Sequence, residues 1–185
     1  MVSLRGFAVA AILAAGLAVR AATIIPPRSL AELAKESHAV VLARAGVSTP
    51  ARSSISIITR TDFTVERTLA GGLAPGESFS VEALGGEVEG EMWVVPGSPR
   101  FAEGESYLLC LQRKPHGDWR PLMMAYGLLH ETGGRDGSRL LVPLEEAAGT
   151  EAMPRLDGEA VEPVLACRKD ELLDHLALVL AGEAE

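Results

Sequence analysis

Alternation of apolar and polar positions is clearest between Ile55 and Glu66. Ile55, Ile57, Thr59, Thr61, Phe63 and Val65 share one face of an extended chain, and Ser56, Arg60, Asp62, Thr64 and Glu66 share the other, with Ile58 alone out of step. A strand of that length suits a barrel or a strongly bent sheet, where one strand serves two neighbours. Before it, His38-Ala39-Val40-Val41-Leu42-Ala43-Arg44-Ala45 is apolar on both faces, which predicts a central strand, and Thr49–Ser54, with Pro50, reads as a polar loop. Turn signals at Leu69-Ala70-Gly71-Gly72 and Pro75-Gly76 follow. Phe79, Val81 and Ala83 then continue the alternation, with Ser80 and Glu82 outward, until Gly85-Gly86. Met92–Val95 reads as a short edge strand before Pro96-Gly97-Ser98-Pro99, because proline is confined to sheet edges and turns. Gly104-Glu105 leads into a strand over Tyr107–Gln112, and Lys114–Asp118 turns into Trp119–Tyr126. Leu128–Thr132 and Arg139–Val142, flanking a glycine-rich loop, predict a last hairpin.

Helical spacing appears near each end. Ser29 and Glu32 form a capping box, and Leu30, Leu33 and Ala34 give one apolar face to a helix running to about Ser37. In the tail, Leu172, Leu173, Leu176, Val179 and Leu180 recur at helical spacing after Asp170 and Glu171, acids that suit a helix N-terminus. This helix is expected to pack on the strands. Several short strands with turns every ten or so residues and a helix at each end predict a mainly β fold, a small antiparallel β-barrel, with a two-sheet sandwich as the rival.

Residues 1–21 change the picture of where the chain works. Arg5 precedes an apolar run from Gly6 to Val19, followed by Val19-Arg20-Ala21, the three parts of a secretory signal peptide. The run is shorter than the roughly 20 apolar residues that span a bilayer. A secreted or periplasmic protein with no membrane span after cleavage is expected. The division is then 1–21 signal peptide, 22–142 β-barrel domain, 143–166 loose linker rich in Glu, Ala, Gly and Pro, and 167–185 C-terminal helix. Removing Arg5 and Arg20 from 17 basic residues leaves 15 against 25 acidic ones, a net charge of −10. So acidic a chain repels nucleic-acid phosphates and anionic membrane surfaces.

Candidate chemistry is sparse. His38, His116, His130 and His175 are scattered, without zinc-ligand spacing, and no nucleophile elbow or phosphate loop occurs. No catalytic residue, metal site or cofactor is expected. Glu87, Glu89 and Glu91 alternate in a glycine-flanked loop that could place oxygens around Ca²⁺, but with no Asp-x-Asp framework beside it the loop reads rather as a solvated acidic excursion. Together with Trp93 and Val95 they are the candidate partner-binding residues. Cys110 and Cys167 leave two readings open in an oxidising compartment: a disulfide, or a buried strand thiol and a second free thiol at the start of the tail helix.

Several runs carry a resemblance. His38–Ala45, Val65-Glu66-Arg67-Thr68-Leu69-Ala70-Gly71, Gly85-Gly86 and Gly97-Ser98-Pro99-Arg100-Phe101-Ala102-Glu103-Gly104-Glu105-Ser106-Tyr107-Leu108-Leu109-Cys110-Leu111 resemble a family of exported bacterial proteins of uncharacterised activity, some associated with matrixin-like metalloproteases. More distantly, the strand order and the Gly-Glu-x-Tyr-Leu run are similar to the netrin-like module of tissue inhibitors of metalloproteinases. The resemblance spans about residues 29–132 and implies an OB-like barrel, an exported setting and an exported protein partner. Those inhibitors chelate zinc through an N-terminal cysteine, and the expected mature terminus near Ala22 has none. The sequence therefore points to an exported non-enzymatic β-barrel binding a protein partner or surface ligand. The alternatives are a carboxylate-based hydrolase, in which Glu87, Glu89 or Glu91 converges with another acid or His130, and a structural accessory domain for an exported protease.

Overall fold

The computed structural model describes residues 29–144 and 166–182. The expected signal peptide and almost all of the expected linker, residues 145–165, lie outside the described residues. Helix α1 (Leu30–Glu36) begins at the predicted capping box: Ser29 Oγ accepts from the Glu32 N–H at 3.0 Å, and Glu32 Oε2 accepts from the Ser29 N–H at 2.9 Å. Then come β1 (Ala39–Arg52), β2 (Ile57–Ala70), β3 (Ser78–Leu84), β4 (Gly86–Val88), β5 (Glu91–Trp93), β6 (Ser106–Arg113), β7 (Trp119–Pro121), β8 (Leu128–Gly133), β9 (Arg139–Pro143), β10 (Cys167–Arg168) and α2 (Lys169–Ala181).

Five of these strands close a ring. β1 pairs with β2 on one side and with β6 on the other, β2 pairs with β3, β6 pairs with β7, and β3 meets β7 through Val81 and Trp119. The result is the small OB-like barrel expected, with one correction to a wholly antiparallel barrel: the β3–β7 contact is parallel. An odd ring cannot alternate direction all the way round, so one parallel contact is forced. The predicted last hairpin, β8–β9, extends this sheet from β6, and β10 adds to its edge.

The two apolar faces of β1 and β6 have separate destinations. Ala39, Val41, Ala43, Tyr107, Leu109 and Leu111 point into the barrel with Phe63, Val65, Phe79 and Val81. Val40, Leu42, Leu108 and Cys110 form the outer face, covered by Leu30 and Leu33 of α1 and by Leu172, Leu173 and Leu176 of α2. Each fully buried Leu or Val contributes about 1.5–3 kcal/mol. The exposed Arg67–Asp174 ion pair, 3.0 Å long, contributes at most about 1 kcal/mol, so apolar burial docks α2.

Two local expectations change. The segment read as a polar loop, Thr49–Ser54, mostly continues β1, and Ile55 lies at the β1–β2 hairpin tip, 86% exposed, rather than on the inner face. Beyond Arg44, β1 has lost β6 as a neighbour and pairs only with β2, so polar residues and the donor-less Pro50 are tolerated there. A register shift between Ala45 and Ser48 bends the long strand. In Trp119–Tyr126, only Trp119–Pro121 is a strand; Met123 and Met124 turn left-handed and Met124–Gly127 forms a single 3₁₀ turn.

Candidate functional site

At one end of the barrel the chain leaves β3 through Gly85 and Gly86, with φ of 93° and 138°. A Cβ on Gly85 would lie 2.7 Å from the Trp93 carbonyl oxygen, and one on Gly86 would lie 2.6 Å from Thr59 Oγ1, so neither site holds a side chain. The chain then folds into a two-stranded ribbon, β4–β5. Its two-residue turn, Glu89-Gly90, has φ of 53° and 81°, the both-positive pattern whose twist suits a tight hairpin. The expected edge strand over Met92–Val95 is thus corrected to Glu91–Trp93, because β4 provides a partner only that far.

This hairpin decides the fate of the three acids. In one continuous strand Glu87, Glu89 and Glu91 would share a face. In the ribbon, Glu87 stands opposite Met92 and Val88 opposite Glu91, so Glu87 and Glu91 project from opposite faces while Glu89 occupies the turn. All three are exposed. Glu91 is fastened: Trp93 Nε1 donates to its Oε1 at 2.7 Å, and Arg52 Nη2 donates to its Oε2 at 2.7 Å. The indole hydrogen bond, followed by the guanidinium, holds the Glu91 carboxyl below its ordinary range. This network ties the ribbon to the far end of β1.

Between the ribbon, the β1–β2 hairpin and the Ser98–Phe101 loop lies a cleft of about 350 Å³, lined in part by Pro50, Gly86, Glu87, Met92, Trp93 and Val95. The four hydroxyls that line it are each engaged with a protein partner. Ser48 and Thr61 hydroxyls share a 2.8 Å hydrogen bond, Thr59 Oγ1 donates to the Gly85 carbonyl at 2.7 Å, and Ser98 Oγ donates to the Leu84 carbonyl at 2.6 Å. Beside the exposed Glu87 and Arg100, what the cleft offers is apolar. Leu84, Met92, Trp93 and Val94 line it at 50%, 63%, 40% and 65% exposure, four of the seven large exposed hydrophobics among the described residues. Such clustering distinguishes a patch from scattered surface residues. Phe101 also lines the cleft, but its ring meets Phe63 at 5.0 Å and Tyr107 at 5.1 Å, both edge-on, which makes it a barrel anchor.

Of the five candidate residues, the structure brings Glu87, Trp93 and Val95 to the cleft wall, gives Glu91 the fastening role and leaves Glu89 at the ribbon tip. Met92 and Val94 fall within the Glu87–Pro96 run that the sequence singles out; sequence reasoning missed Leu84 and Arg52. No periodic signal marks them, because the cleft joins four segments distant along the chain. His130 does not join the acids; its Nε2 lies 3.4 Å from Glu105, and its ring stacks on Tyr107 at 5.0 Å. Among the described residues no group of three or more His, Cys, Asp or Glu is placed to hold a metal ion. Both cysteines are free thiols. Cys110 is fully buried under α1, where burial, opposed in part by a hydrogen bond with Ser37, pushes its pKa up to about 12. Burial and the nearby Glu171 also raise that of Cys167. No helix among the described residues is long and apolar enough to cross a membrane.

Fold and site define a small closed β-barrel, braced by two helices, with an apolar cleft under a β-ribbon at one end. Comparison with family models, with curated proteins and with solved structures finds no match.

Proposed function

We propose that the protein is an exported, non-enzymatic barrel that binds a protein partner through the β4–β5 ribbon and the cleft beneath it. The observation that carries this reading is the cluster of Leu84, Met92, Trp93 and Val94 exposed around a cleft whose hydroxyls bond internally. Apolar and aromatic side chains held on a rigid frame are the usual energetic centre of a protein interface. Trp93 is pre-positioned by Glu91 and Arg52, so little freedom is lost when it is covered. Export, implied by the signal-like first 21 residues, supplies the setting in which the partner is met.

Capture from culture supernatant with the intact protein and with Trp93→Ala tests the reading. Because Trp93 is 40% exposed, the variant is expected to keep its thermal midpoint within a few degrees. Loss of an interface-centre tryptophan costs about 2 kcal/mol or more, so partner recovery should fall roughly thirtyfold. Equal recovery by both proteins removes the cleft from consideration.

A further inference from the structure

A second concavity, on the other side of Leu84 and Pro99 from the cleft, has a different chemistry. It is a groove of about 410 Å³, within the range of about 300–1,000 Å³ typical of small-molecule sites. Its apolar lining includes Leu84, Leu122, Met123 and Met124, and its polar lining includes Arg120, Gln112, Lys114 and Glu82.

Charge at this groove runs against the acidic character of the chain. The Glu82 carboxylate, only 8% exposed, is held by two cations: Arg60 Nη2 at 2.6 Å on one oxygen and Lys114 Nζ on the other. Its negative charge is thereby offset. Arg120 is the unbalanced charge. Its Nε and Nη2 both donate to Gln112 Oε1, at 3.2 and 2.8 Å, and among the described residues no carboxylate pairs with it. Gln112 and Arg120 face each other across β6 and β7, so the guanidinium is fixed by a neutral neighbour. An arginine has five N–H donors in a planar fork that matches a carboxylate.

The apolar wall is built at some conformational expense. Met123 and Met124 have φ of 60° and 58°, left-handed values that non-glycine residues rarely adopt, least of all in succession. Neighbouring backbone hydrogen bonds hold them there: the Leu122 N–H donates to the Cys110 carbonyl at 2.8 Å, the Ala125 N–H to that of Gly97 at 3.1 Å, and the Tyr126 N–H to that of Met123 at 3.2 Å. The corner brings two flexible thioether residues to the groove lining, and methionine adapts to aliphatic surfaces of varied shape.

We infer that this groove is a binding site for a small amphiphile, an aliphatic chain ending in a carboxylate, with the chain on Leu122, Met123 and Met124 and the head group on Arg120. The site shares the Leu84 and Pro99 wall with the protein-binding cleft, but the residues assigned to the ligand lie outside that cleft and the assignment does not depend on it. Titration of the full chain, labelled with ¹³C at its methionine methyls, tests it with decanoate and decyltrimethylammonium, each kept below its micelle-forming concentration, and with decanol below its solubility limit. Decanoate should give saturable shifts at Met123 and Met124 and leave Met92, in the cleft, unmoved. Decanol should bind about tenfold or more weakly, since it lacks the charge-assisted contact, and the cation should not bind. Arg120→Gln should reduce decanoate affinity to near that of decanol while decanol binding, which reports an intact groove, stays as it was. Equal affinities for decanoate and decanol, an unaltered response in Arg120→Gln, or shifts centred on Met92 would each overturn the assignment.

Discussion

Glu82 shows how far an alternating pattern reaches at the scale of one residue. The pattern places it on the outer side of β3, and so it is, paired in register with Arg60. Outward here does not mean solvated, because Arg60 and Lys114 close over it. Burial alone would raise its pKa, but the hydrogen bonds from Lys114 and Arg60 outweigh that effect and leave it below the ordinary 4.5. As pH falls, the unfolded chain therefore takes up this proton before the folded one. The stabilisation is complete above about pH 4.5 and is lost as pH falls through the lowered folded value. Glu82→Gln should cost about 1–3 kcal/mol near neutrality and flatten the decline of thermal midpoint between pH 5 and pH 3. Parallel midpoint curves for the two proteins would show that the carboxylate is not held as described. The same scale explains the Glu87, Glu89 and Glu91 series. Period two is right within each strand, yet a turn in the middle reverses one half, and a glutamate at its first position carries none of the Asn-Gly or Asp-Gly signal that marks such hairpins.

Among the elements, β1, β6 and α2 were legible because burial wrote both faces of each strand and one face of the helix into the sequence. Residues 39, 41 and 43 fill the barrel while 40 and 42 lie under the helices, and the predicted Leu172, Leu173, Leu176 and Val179 face of α2 supplies the cover. The far half of β1 was not legible, since with a single neighbouring strand it carries polar residues and a proline that read as a loop. The two-sided burial has a chemical readout at Cys110, whose thiol lies between β6 and the helices with its pKa pushed up to about 12. In the native protein at pH 8, iodoacetamide should modify Cys167 well before Cys110. Leu173→Ala, which opens the same apolar layer, should lose about 2–5 kcal/mol of stability and speed Cys110 modification in proportion to local opening. Equal native reactivity of the two thiols would contradict the burial of Cys110 beneath the helices.

For the whole molecule, the ring of five strands sets where function can reside. One end of the barrel is elaborated by the ribbon, the β1–β2 hairpin and the Ser98–Phe101 loop, while α1 and α2 cover the outer face of β1 and β6. The cleft was only partly visible in sequence, through Glu87, Trp93, Val94 and Val95, because its walls come together only when the barrel closes. Photo-crosslinking tests the central claim most directly. A benzoylphenylalanine in place of Trp93 in the full chain, compared with one in place of Leu178, an exposed residue of α2, reports what each surface touches. The reading predicts a discrete protein adduct from position 93 and none from position 178; no adduct from position 93, or the same adducts from both, would contradict it.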